Sequence, residues 1–266
     1  MFLSFTPSHR GGSGSPMVCL HGFTGTWRAW GLVLPRLERH HDVLALTLPG
    51  HLGGPALARE FTSAHFLDAV ERGMDQAGFA TAHLVGNSLG GYVALRLAAR
   101  GRADSVVALA PAGGWAEGDE SFRETLALFR TWQMQLRTIA PHADAILRTT
   151  DGRRRATQAI VSNFEHIPFE LLVHQMIATA NCPGLEPMIE TALREGYRLD
   201  AERISCPVRM IWGTEDQLLA WPATATRYLH DWLPHADWVE LAGVGHCPQL
   251  DVPLETAQLI ADFTAR

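Results

Sequence analysis

Ala82-His83-Leu84-Val85-Gly86-Asn87-Ser88-Leu89-Gly90-Gly91 is the stretch on which the reading of this chain turns. Ala82 to Val85 is a short apolar run of the kind that forms a strand buried on both faces, and Leu89 to Ala99 has the composition of a helix. The five residues between, Gly86 to Gly90, fit G-x-S-x-G. A serine at such a junction sits on a sharp turn. Glycines are needed there because a side chain at position 86 or 90 would collide with the strand or the helix. The order strand, motif, helix separates this reading from a glycine-rich turn with an incidental serine.

The same alternation extends to both sides. Upstream, strands are expected at 17–20 and 42–46, with helices at 27–40 and 63–76; downstream, a strand is expected at 106–109. From Gly114 to Arg203 the strand signal is missing and four helical stretches follow one another, at 121–139, 154–164, 169–178 and 186–195. After Pro207 the alternation returns, with strands at 208–212 and 238–241 and helices at 222–233 and 252–264. Strand and helix in turn imply an α/β fold with a mainly parallel sheet covered on both faces. Residues 1–113 and 204–266 therefore form one core, and 114–203 a helical insertion that interrupts it.

Composition narrows the function. The 266 residues carry 22 cationic and 28 acidic side chains, a net charge of -6 that gives no footprint for gripping a phosphate backbone, so nucleic acid is not an expected partner. Every cationic residue is Arg. The absence of Lys removes Schiff-base chemistry, phosphate-loop lysines and Ser-Lys dyads. Cys19, Cys182, Cys206 and Cys247 are scattered, without a C-x-x-C pair or a dense framework, which fits a reducing cytoplasm. No apolar run approaches the roughly 18 residues of a membrane span, and Met1 to Pro16 lacks the pattern of a signal peptide.

A serine hydroxyl needs a base, and the base needs an acid to hold it. Gly213-Thr214-Glu215-Asp216 follows the strand at 208–212, and Gly243-Val244-Gly245-His246 follows the strand at 238–241, both at the ends where parallel sheets build their sites. The chain order is Ser88, Asp216, His246, with Glu215 a rival for the acid. His21-Gly22-Phe23-Thr24-Gly25, after the strand at 17–20, stands where an oxyanion loop belongs; the backbone N–H groups of Phe23 and Leu89 are the expected donors.

On these residues the chain resembles the serine-type α/β-hydrolases over nearly its whole length. The resemblance rests on His21-Gly22-Phe23, Leu48-Pro49-Gly50-His51, Gly86 to Gly91, Gly213 to Asp216 and Gly245-His246, in that family's order. It implies a sheet of about eight strands, a helical cap inserted after the sixth, and no metal or organic cofactor. Its spacing puts the acid three residues after Gly213, at Asp216, and places His21 under the oxyanion loop as a structural residue. Many relatives carry Asp where this chain has Thr47, a departure that bears on loop packing more than on catalysis.

The remaining polar candidates take bland roles. Asp251 suits the N-cap of the last helix, His40, His41 and His51 suit loops or the surface, and Arg153-Arg154-Arg155 suits a solvated helix start. Trp115, Leu126, Phe129, Trp132, Met134, Phe164, Phe169, Leu172 and Met176 supply an acyl pocket or pack the insertion against itself. The resulting expectation is a carboxylesterase acting through an acyl-enzyme on a small ester with an apolar acyl group.

Three rivals remain. Carbon–carbon bond hydrolases of ring-cleavage products share Gly86-Asn87-Ser88, but they use an Arg for a substrate carboxylate that the sequence does not place. A pyruvate-eliminating lyase of the fold has Arg where this chain has Tyr92. A ligand receptor could retain the whole core. Dehalogenases and epoxide hydrolases of the fold place Asp at the position of Ser88.

Overall fold

The computed structural model describes residues 4–265. The strands are β1 (Ser8–Gly12), β2 (Ser15–Leu20), β3 (His41–Leu46), β4 (Ala82–Asn87), β5 (Ala103–Leu109), β6 (Val208–Gly213) and β7 (Asp237–Leu241). They form one sheet in the order β1-β3-β2-β4-β5-β6-β7. β1 pairs antiparallel with β3, and all other pairings are parallel. The α/β-hydrolase fold is thus present, with seven strands among the described residues. β1, Ser-His-Arg-Gly-Gly, has no apolar alternation because it is an edge strand, and its register is set by pairing with β3 alone.

The central strands are buried on both sides, which explains their near-continuous apolar sequences. Val18, Leu20, Leu84 and Met210 face one core, while Met17, Cys19, Val85 and Ile211 face the other. The first core is closed by helix α2 (Ala64–Ala77) through Val70 and Met74 and by α3 (Leu89–Ala99) through Val93 and Leu97. The second is closed by a short α1 (Leu34–Leu37) and by α10 (Pro253–Thr264), through Leu34, Leu37, Ile260 and Phe263.

The helix expected at 27–40 is a 3-10 turn at Trp27–Trp30 followed by α1, broken where Gly31 intervenes. Likewise 222–233 is not one helix but a 3-10 turn at Ala223–Ala225 and a π turn at Tyr228–Trp232. The reason is tertiary: the Arg227 amide donates to Gly114 O, and the Tyr228 hydroxyl to Ala112 O.

Between β5 and β6 lie the inserted helices α4 (Ser121–Ile139), α5 (Ala143–Leu147), α6 (Thr150–Thr157), α7 (Phe169–Ala180) and α8 (Leu185–Glu195). α6 ends at Thr157 instead of 164, because the Ser162 and Asn163 amides bind Asp251. The insertion has its own core, with Leu147, Phe164, Leu172 and Met176, which also packs on Cys247 and Leu250 of the segment after β7. Among the described residues, no helix is long and apolar enough to cross a membrane.

Candidate active site

Ser88 sits between β4 and α3 with φ 54 and ψ -117. A non-glycine residue at positive φ costs on the order of 1–3 kcal/mol and persists only where its surroundings over-determine it. They do so here: the Ser88 amide donates to Leu109 O at 2.9 Å, and Ser88 O accepts from Tyr92 and Ala112 amides, each at 3.1 Å. The turn closes only around glycine. A Cβ on Gly86 would lie 2.2 Å from Gly90 O, and one on Gly90 would lie 2.1 Å from Leu20 O.

Asp216 and His246 meet as the sequence order implied. His246 Nδ1 is 2.7 Å from Asp216 Oδ2, and both residues are buried. The other carboxylate oxygen accepts the Leu218 and Leu219 amides at 2.9 and 2.7 Å, so the acid is fixed from two sides. Glu215, the rival acid, is exposed. Since Nδ1 donates to a carboxylate, His246 Nε2 is left as the free lone pair, and it is buried with no partner among the described residues.

The loop at Phe23 is held from below. His21 Nδ1 donates to Gly22 O at 2.7 Å while its Nε2 accepts the Leu48 amide at 2.9 Å, a pattern open only to the neutral ring. Burial, with His51 nearby, pushes the His21 pKa well below its ordinary value, consistent with that tautomer. The turn closes with Gly25 N to Gly22 O at 3.1 Å, and Thr24 and Thr26 tie it to Thr179 and His174 of α7. Leu89 opens α3, so its N–H belongs to the first turn, where helix donors lack internal acceptors. Thr47 stitches neighbouring loops, donating to Thr6 O and accepting the Trp27 amide.

Two cavities meet at Ser88. A narrow apolar one of about 70 Å³ runs past Leu89, Tyr92, Trp115, Leu126 and Met188. A wider one of about 660 Å³ is lined by His246, Gln249, Trp132 and Met176. Phe23, Phe129 and Leu218 border both. Of the other apolar residues expected at a pocket, Phe164, Phe169 and Leu172 pack the insertion's own core, and Met134 is 66% exposed.

Several bland expectations need correction. His41 is the buried first residue of β3, not a loop or surface residue, whereas His51 does lie in a loop but is buried there; burial lowers the His51 pKa to about 4. Arg153 is no solvated helix start, since its guanidinium donates to the carbonyls of Phe164, Glu165 and Ile167. Arg155 does pair with Asp151 at the surface, at 2.9 Å. Asp251 does not cap α10, whose N-cap position is Val252. It ends the short helix α9 (Pro248–Asp251), and its buried carboxylate accepts the amides of Gly245, Ser162 and Asn163 and the Asn163 side chain.

Asn87 was missed as well. Its Nδ2 donates to Leu109 O at 3.1 Å and to His246 O at 3.0 Å, which fastens the histidine loop to the serine turn. Its place as the variable residue of the motif carried no signal for this.

Over 203 residues, 76% of this chain and 94% of the other, the chain is 32% identical to a Mycobacterium tuberculosis protein named epoxide hydrolase EphH. Over 258 residues, 94% of each chain, it is 26% identical to the pimeloyl-acyl-carrier-protein methyl ester esterase of Chromobacterium violaceum. The meta-cleavage product hydrolase of Pseudomonas fluorescens shares the fold, with a TM-score of 0.70 at 20% identity over 97% of this chain and 93% of that one. The model of the alpha/beta hydrolase family matches residues 17–259, and the chain belongs to that family.

Proposed function

We propose that the protein is a serine carboxylesterase with Ser88 as nucleophile, His246 as base and Asp216 as the acid that holds it. One observation carries the reading: a serine held at positive φ shares a cavity with a histidine whose Nε2 is free because a buried carboxylate has taken its Nδ1–H. In this reading His246 removes the Ser88 proton as the oxygen attacks the ester carbonyl. The Phe23 and Leu89 amides receive the oxyanion, and loss of one such donor costs roughly 10²–10³ in rate. His246 then protonates the departing alcohol, and water releases the acid.

The narrow cavity suits the apolar acyl group and the wide one the alcohol and water. Residues 114–203 act as a cap over the core formed by 1–113 and 204–266. The four free cysteines fit a cytoplasmic enzyme.

Chemistry argues against epoxide opening. A serine oxygen attacking an epoxide would form an ether, which water does not cleave under these conditions, whereas an attacking carboxylate forms an ester that it does. Tyr92 likewise argues against the lyase, because its hydroxyl is engaged with the Arg198 backbone.

A carbon–carbon hydrolase gains support from Arg96, which lines the narrow cavity two helical turns from Ser88 and forms no ion pair among the described residues. Glu195 lines the same cavity. Against the effect of burial, hydrogen bonds from Ser63 hold its carboxyl below the ordinary value, and its charge opposes a substrate carboxylate there.

The test compares wild type and Ser88→Ala on p-nitrophenyl esters of increasing acyl length, with fluorophosphonate labelling of both. Turnover and labelling that vanish in the mutant support the esterase; turnover of a ring-cleavage dienoate without ester turnover transfers the assignment to carbon–carbon cleavage. Labelling of Ser88 with turnover of neither substrate leaves the receptor reading.

A further inference from the structure

Four residues of α3 that line the narrow cavity, Leu89, Tyr92, Val93 and Arg96, recur at i, i+3, i+4 and i+7, the spacing of one helix face. The cavity therefore runs along α3, away from Ser88. At about 1.5 Å of rise per residue, Arg96 lies about 12 Å along the axis from Ser88, and its side chain leans back toward the serine as helical side chains do. α8 lines the same cavity with the same spacing, through Met188, Thr191, Ala192 and Glu195.

The last residue of each stripe is charged, and Ser63, itself in the cavity wall, joins the two. The Ser63 hydroxyl accepts from Arg96 Nη1 at 2.8 Å, and the Ser63 backbone N–H donates to Glu195 Oε2 at 3.1 Å. Arg194 Nη2 approaches the other carboxylate oxygen at 3.4 Å. Against the effect of burial, the bonds from Ser63 hold the Glu195 carboxyl below its ordinary value, so it is charged at neutral pH. Neither group is sealed in. Both residues are half-buried, and the Glu195 side chain is 28% exposed. A guanidinium has more N–H groups, and a carboxylate more lone pairs, than these bonds use.

The two charges decide what an acyl chain can carry at this end. A methyl group would engage neither, and a carboxylate would meet Arg96 but be repelled by Glu195. A hydroxyl suits both at once, since it accepts and donates. Volume sets the length: about 70 Å³, at roughly 10–15 Å³ for each water-sized group, takes about five to seven such groups. The 6-hydroxyhexanoyl chain falls within that range beyond its carbonyl, with five methylenes and one oxygen.

We propose that Arg96 and Glu195 select esters of medium-chain acids that carry a hydroxyl at the far end, the hydroxyl accepting from Arg96 and donating to Glu195. The proposal rests on the esterase reading above and names the substrate class of that site.

The test is the ratio of kcat/KM between ethyl 6-hydroxyhexanoate and ethyl heptanoate, which has a methyl group in place of the hydroxyl. Measured on one preparation, the ratio cancels any partial loss of folded enzyme. Wild type should favour the hydroxy ester about 10- to 100-fold, the size of a hydrogen bond to a charged group. Sealed sites discriminate more strongly, but water reaches both groups here. Arg96→Met, which keeps an unbranched stem without the donors, should bring the ratio to about one. Glu195→Gln retains an acceptor and should keep the preference for the hydroxyl. It should also raise turnover of monoethyl adipate relative to heptanoate by about tenfold, because the charge that repels a carboxylate is gone. A wild type that prefers heptanoate or adipate, a ratio that survives Arg96→Met, or an adipate rate indifferent to Glu195→Gln overturns the proposal. Turnover of no ester at all, ethyl acetate included, sinks the esterase reading instead, so the two failures are distinguishable.

Discussion

Asp251 grips Asn163 twice, accepting its backbone N–H at 2.8 Å and its side-chain Nδ2 at 2.6 Å, and so joins the helical insertion to the histidine loop. The same carboxylate takes the Gly245 amide, next to His246, and the Ser162 amide, each at 2.7 Å. One side chain that is 2% exposed thus ties residues 162 and 163 of the insertion to the loop that carries His246.

Replacing Asp251 by Ala should strand these buried donors, each costing on the order of 1–3 kcal/mol if water does not reach it. The expected outcome is a stability loss of at least about 3 kcal/mol, read from denaturant midpoints, with kcat falling more than KM rises because His246 loses its fixed position. A Ser88→Ala control should leave the midpoint near wild type.

Ser88→Gly offers a cleaner view of the strained turn. Glycine accepts φ 54 without penalty, so stability should rise by about 1 kcal/mol while ester turnover falls by several orders of magnitude. Differential scanning calorimetry and a p-nitrophenyl ester assay on one preparation check both halves. A lower melting temperature would contradict the strain assigned to Ser88.

Acid should destabilise the fold through its buried histidines. Burial holds His51 at about 4, below the roughly 6.5 of an unfolded chain. Between those values the unfolded state binds the proton and the folded state does not. The stability is therefore complete above about pH 6.5 and is lost as pH falls toward 4, by on the order of 3 kcal/mol for this fully buried ring. His174, lowered to about 4 by burial and by Arg28, acts in the same direction but is less enclosed. Melting temperatures from pH 8 to 4 should show the fall, and His51→Asn should flatten it.

Phe129 divides the two cavities and packs edge-on against Phe23, with ring centroids 4.8 Å apart. Phe129→Ala should join the cavities and move the optimum acyl length upward. Loss of the buried ring should cost about 3–5 kcal/mol of stability. The check is kcat/KM across p-nitrophenyl esters from acetate to long chains; an unchanged optimum would mean that acyl groups do not pass this ring.

Local chemistry made much of the fold legible in the sequence. β2 to β6 are short apolar runs stopped by Gly or Pro, a pattern that only strands buried on both faces require, and α3 follows its motif directly. β1 and the irregular turns at 223–232 were not legible. The first is a polar edge, and the second depends on hydrogen bonds from the Arg227 amide and the Tyr228 hydroxyl to carbonyls more than a hundred positions away.

The candidate site divides along the same line. Ser88, His246 and Asp216, the proposed nucleophile, base and acid, and the glycines around Ser88 were named from residue type and order, since such chemistry on a strained turn admits few residues. Asn87, Gln249 and Asp251 are ordinary polar residues whose roles arise from what faces them: 162 positions separate Asn87 from Gln249, and 88 separate Asn163 from Asp251. Sequence alone determined the fold class and the order along the chain of the proposed catalytic residues. The tertiary structure decided which buried polar atoms are paired and which are left free, because hydrogen bonding in a closed interior depends on distance and direction in space and not on neighbours along the chain.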